Sequence, residues 1–146
     1  MYDDILFPVS FYLLDDAELK QHGKTVASRF DARVHLLSLT LQDEGRRDIE
    51  EHRNAFDNFV GELEELEDEN DVEVTTEFRE EPVDYDSVAE AIVDEADDFD
   101  MVMMGHTKVS RERSGEMWTT ADTVINTSPV PVFVIPLGAP RFRDVY

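Results

Sequence analysis

Residues Met101–Pro136 read MVMMGHTKVSRERSGEMWTTADTVINTSPVPVFVIP. With Asp100 in front, DMVMMG is a short continuous apolar run and reads as a buried strand. A polar stretch follows. Ala121, Val124 and Ile125 then recur at helical spacing, which predicts a helix over about 119–127. Pro129 and Pro131 bracket its end, and VPVFVIP over 130–136 reads as a second buried strand. A strand–loop–helix junction is where many α/β proteins hold a phosphate, because the helix N-terminus offers unpaired N–H groups to an anion. Such loops usually need glycines, and this one has only Gly105 and Gly115.

The same alternation runs upstream. Residues 3–10, DDILFPVS, form an apolar run ending near a proline. Leu19, Gly23, Val26 and Phe30 mark an amphipathic helix from Asp15 to Phe30. Gly23 in its interior costs about 1 kcal/mol relative to alanine, a cost that close packing on a sheet would explain. ARVHLLSLT over 32–40 is a second strand. A long helix over 44–68 turns Phe56, Phe59, Val60, Leu63 and Leu66 to one side and acids to the other. VEVTTEFRE over 72–80 alternates more and so belongs nearer an edge. Pro82 follows it, then a helix near 84–97 with Val88, Ala89, Ile92, Val93 and Ala96 inward.

The order is therefore β-α-β-α-β-α-β-α-β. It predicts a doubly wound, five-stranded parallel sheet with helices on both faces. Ligands of such sheets sit beyond the carboxyl ends of strands at the switch point. No repeat or long linker divides the chain. The expectation is one domain over 1–146, with its core at about 2–136 and a short tail from 137 to 146.

Composition bounds the rest. The chain has 146 residues and no cysteine, which excludes disulfides, thiolate metal sites and thiol catalysis. The N-terminus, MYDDILFPVSFYLL, lacks the basic region of a secretion signal, and no apolar run approaches a membrane span. A soluble cytoplasmic protein is expected. Its 35 acidic residues against 13 basic ones give a formal charge of −22. Only Lys20, Lys24 and Lys108 are lysines, and the acids are spread along the chain. Such a surface repels itself in dilute buffer and is screened at about 1 M salt, where the Debye length is roughly 3 Å. That pattern suits a salt-loaded cytoplasm. No basic stripe exists to neutralise phosphates, so nucleic acid is not an expected partner.

Four segments resemble the universal stress protein family: ILFPVS as first strand, ARVHLLSLT as second, MVMMGHT as fourth, and ADTVINTSPVPVFVIP as closing helix and strand. The resemblance spans roughly residues 2–136. It implies a Rossmann-like, adenine nucleotide alpha hydrolase-like fold, a stress-response role, and a homodimer formed through the last strand, Val130–Pro136. Nucleotide-binding members carry Gly, two residues, Gly, nine residues, Gly, then Ser or Thr. On this chain Gly105 fills the first position and Thr119 the last. Lys108 and Trp118 stand where the other two glycines would be, and Ser10 stands where the family has an Asp at the end of the first strand.

A glycine loop cradles phosphate with backbone N–H groups and no intervening side chain. A Cβ at 108 and an indole at 118 both work against that. Thr119-Thr120-Ala121-Asp122 also reads as a capping box. Against loss of the ligand stands a small basic cluster, Lys108, Arg111 and Arg113, beside His106, since arginine can bind phosphate through two bonds at once. The candidate binding set is thus Ser10, Gly105, His106, Lys108, Arg111, Arg113, Trp118 and Thr119. The expected function is a regulatory domain that does not hold ATP in the family's usual way and needs no cofactor. The alternative is a nucleotide or anion sensor built on the basic loop, with ATP as its ligand. An enzyme such as a slow nucleotide hydrolase lacks any supporting constellation. A phosphoreceiver domain would need acids at the carboxyl end of the first strand and a lysine after the last, and this chain has neither. His22, His35, His52 and His106 are scattered without metal-ligand spacing, so no metal is expected.

Overall fold

Strand β1 (Asp4–Pro8) turns Ile5 and Phe7 to one side of a sheet and Leu6 to the other, and all three are fully buried. A strand apolar on both faces must lie at the centre of a sheet covered on both sides. In the computed structural model, which describes residues 3–42, 44–69, 72–106 and 120–137, it does. Five strands, β1, β2 (Arg33–Leu41), β3 (Val74–Val83), β4 (Met101–His106) and β5 (Val132–Pro136), form one sheet in the order β3-β2-β1-β4-β5. Every neighbouring pair is parallel.

The helices are α1 (Ala17–Phe30), α2 (Arg46–Glu69), α3 (Val88–Ala96) and α4 (Thr120–Thr127). One apolar layer joins Ile5, Phe7, Val34, Leu36 and Met103 to Leu19 and Val26 of α1 and Phe56, Phe59 and Leu63 of α2. The opposite layer joins Leu6, Leu37, Leu39, Val102 and Met104 to Val88 and Ile92 of α3 and Ala121 and Val124 of α4. Phe7 meets Phe59 edge to face, with ring centroids 5.8 Å apart. Each such fully buried ring contributes about 1.5–3 kcal/mol over an exposed one.

Local chemistry sets the helix ends. Asp16 caps α1, its carboxylate accepting from the Leu19 N–H at 2.9 Å. Asp31 ends the helix in the left-handed region at φ 48°, a conformation aspartate tolerates better than most residues. Gly23 does permit close approach to the sheet: a Cβ there would come within 2.8 Å of the Phe7 ring.

Two boundaries differ from the sequence reading. β3 runs through Pro82 to Val83, beyond a register shift between Leu39 and Leu41 of its neighbour. As an edge strand it can accept a proline on its unpaired side. The helix expected from 84 begins instead with a 3-10 turn, Tyr85–Ser87, before α3. The side chain of Leu66 lies outside the described residues. No helix among the described residues is long and apolar enough to cross a membrane.

Candidate functional site

The sheet reverses its winding at β1. From there the chain steps to β2 and β3 on one side and, later, to β4 and β5 on the other. The carboxyl ends of β1 and β4 therefore flank the crevice where a doubly wound sheet offers a ligand site. Ser10 follows β1, and Gly105 and His106 end β4, so three of the expected residues share this edge. Lys108, Arg111, Arg113, Trp118 and Thr119 lie outside the described residues.

Ser10 leads into a 3-10 turn, Phe11–Leu13, and its carbonyl accepts from Leu13 N–H at 3.0 Å. The residue is only 4% exposed, and its hydroxyl has no hydrogen-bond partner among the described residues. Gly105 is packed rather than open. A Cβ on it would meet a methyl of Leu137 at 3.2 Å, of Leu19 at 3.4 Å and of Leu13 at 3.5 Å. Three elements converge there: the turn after β1, the start of α1, and the residue after β5. His106 is half-buried, with Nε2 3.4 Å from Oδ1 of Asp122 in the first turn of α4. Asp122 complements the helix dipole, and it also adds negative charge to the helix end that an anion would use.

Beside the crevice lies an array that the spacing of residues did not announce. The Ser38 hydroxyl donates to the Val9 carbonyl at 2.7 Å and also lies 2.7 Å from Nε2 of His52. His52 Nδ1 is 3.0 Å from Oε2 of Glu44, whose Oε1 accepts from the Leu41 N–H at 3.1 Å. The imidazole stacks on Phe11 at 5.0 Å and meets the edge of Phe78 at 4.7 Å. Serine, histidine and acid in this order form the contacts of a nucleophilic triad. Here Ser38 and His52 are both 0% exposed, so no substrate reaches them. The array is a clasp tying the end of β1 to the end of β2 and to α2. The one sequence signal for it is a polar Ser38 set among Leu36, Leu37 and Leu39.

The amino-acid sequence matches the universal stress protein family over residues 1–136. The chain belongs to that family. Solved structures agree on the fold. A universal stress protein from Archaeoglobus fulgidus is 21% identical, with a TM-score of 0.63 over 92% of this chain and 94% of that one. A universal stress protein from the same organism in complex with dAMP is 20% identical, with a TM-score of 0.60 over 92% and 98%. A universal stress protein in complex with cAMP is 14% identical, with a TM-score of 0.61 over 94% and 98%. No curated protein matches the sequence.

As a universal stress protein, the chain has a second surface of interest at the sheet edge. A groove of about 420 Å³ runs between α1 and β5, lined by His22, Val26, Arg29, Phe133, Ile135 and Pro136 among others. Phe133 is 40% exposed, and β5 pairs only with β4 among the described residues. An apolar edge strand of this kind is a template for pairing with another chain.

Proposed function

We propose that this universal stress protein is a homodimeric stress-response and regulatory domain that does not hold ATP in the family's usual way. The observation that carries this reading is the packing at Gly105. The first glycine of the nucleotide motif has its Cβ position hemmed by Leu13, Leu19 and Leu137, so its freedom serves leucine packing. The replacements at Ser10, Lys108 and Trp118 work in the same direction. The exposed Phe133 and the open side of β5 support association through Val130–Pro136. The acidic, lysine-poor surface supports a salt-rich cytoplasmic setting.

The second reading is a nucleotide or anion sensor using Ser10, His106, Lys108, Arg111, Arg113 and Thr119. It is favoured by the buried hydroxyl of Ser10, unbonded among the described residues, and by structural neighbours whose complexes hold dAMP and cAMP. A titration of ATP with magnesium at multimolar KCl, followed by Trp118 fluorescence and by calorimetry, separates the two. The first reading expects no saturable response up to millimolar ATP. Tight, saturable, one-to-one binding would overturn it.

A further inference from the structure

His35, Glu77 and Glu95 are far apart in sequence and sit on three different elements, β2, β3 and α3. The sheet register brings them together. His35 faces Thr75 across the β2–β3 pair, so Glu77, two residues on, lies on the same face as Thr75. α3 covers that face and contributes Glu95. One ligand atom from each of the three residues lies within 4.8 Å of the other two, and all three residues are half-buried.

Each side chain is already oriented. His35 Nδ1 is 2.7 Å from the Thr75 hydroxyl, and the ring stacks on Phe99 at 5.4 Å. Nε2 is thus the nitrogen left to act as a ligand. Arg79 takes one oxygen from each carboxylate: its Nε bonds Oε2 of Glu77, and its Nη2 lies 2.5 Å from Oε2 of Glu95. No other hydrogen bond engages Oε1 of either residue among the described residues. Burial by itself would lower the Arg79 pKa, but the hydrogen bonds and charges of Glu77 and Glu95 outweigh it and hold the guanidinium above its ordinary value. Among the described residues, two carboxylates thus face one permanent cation, which leaves one negative charge over beside the imidazole. Hydrogen bonds from outside that fix a histidine and its carboxylate partners are what a metal site requires around its ligands.

We propose that His35, Glu77 and Glu95 bind a divalent transition-metal ion, with Arg79 and Thr75 as the groups that orient the ligands. An imidazole nitrogen with two carboxylate oxygens suits Zn²⁺, Co²⁺, Ni²⁺ or Cu²⁺ better than Mg²⁺ or Ca²⁺, which prefer all-oxygen shells. Three protein ligands leave the remaining positions to water. Arg79 remains in place and repels the ion, which keeps the affinity moderate.

The test is a titration of Co²⁺ into the metal-free full chain at high KCl, read by visible absorption and calorimetry. The expected result is saturable one-to-one binding, with a dissociation constant below about 100 µM and weakened at least about 10-fold in Glu77→Gln and His35→Gln. His22→Ala, which removes an exposed histidine elsewhere, leaves the binding unchanged. Far-ultraviolet circular dichroism confirms that each variant is folded. His35→Gln retains a planar polar side chain, so it serves if His35→Ala does not fold. Absence of saturable binding would overturn the proposal. So would Co²⁺ binding indifferent to His35→Gln, or Mg²⁺ binding of equal strength, since either would place the ion on the general acidic surface.

Discussion

The imidazole of His52 approaches the hydroxyl of Ser38 to 2.7 Å in an interior where both are wholly withdrawn from solvent. A buried polar pair of this kind stabilises only while every member is satisfied. Replacing His52 by alanine leaves the Ser38 hydroxyl only its bond to the Val9 carbonyl, takes the histidine partner from Oε2 of Glu44, and removes the ring on which Phe11 stacks. The expected loss is about 3 kcal/mol, read by urea unfolding at fixed high KCl, since guanidinium would itself change the ionic strength. A loss under about 1 kcal/mol would mean that water satisfies the array.

Gly23→Ala opposes two effects. Helix propensity favours alanine by about 1 kcal/mol. The added Cβ would come within 2.8 Å of the Phe7 ring, which is itself locked against Phe59. Overpacking of that kind costs about 1–3 kcal/mol. The net expectation is a less stable protein, and a rise in melting temperature would show that Phe7 has room to move.

Ser10→Ala removes a buried hydroxyl that bonds to nothing among the described residues. The expected change in stability is between zero and a gain of about 1 kcal/mol, because desolvation of the hydroxyl is no longer incurred. A loss beyond about 1 kcal/mol would reveal a partner for the hydroxyl.

With a formal charge of −22 on 146 residues, self-repulsion falls as salt screens it. The melting temperature should rise as KCl goes from dilute to multimolar. A flat profile across that range would count against a salt-adapted surface.

Phe133→Glu places a charge on the exposed edge beside the α1 groove. The wild-type chain is expected at about twice its 16.8 kDa mass in light scattering at high KCl, and the variant at the single-chain mass. A wild-type monomer at tens of micromolar would rule out β5 as a stable interface.

Much of this architecture was readable from residue order. The apolar runs around Ile5, Leu36, Val102 and Val134 and the helical spacing of Leu19, Phe56 and Ile92 pointed to a parallel sheet with two covered faces. The proline at 82 misled, because whether a strand tolerates proline depends on its place at the edge, which only topology decides. The site was less legible. Gly105 and Ser10 were found through their positions in a motif, but nothing local says that three leucines fill the space at Gly105. The clasp of Ser38, Glu44 and His52 forms where α2 folds back on the end of β2, and the grouping of His35, Glu77 and Glu95 arises from the β2–β3 register and the packing of α3. Neither follows a helix or strand periodicity, so no repeat in the sequence announces them.

Leu137 closes two things at once. Its N–H donates to the His106 carbonyl at 3.0 Å, anchoring the end of β5 to β4, while its side chain presses on Gly105. A molecule entering beside Gly105 would have to move the residue that seats the outermost strand. Conversely, a second chain that tightened β5 would tighten the seal. The seat of the outermost strand and the closure of the space beside Gly105 therefore rest on one residue.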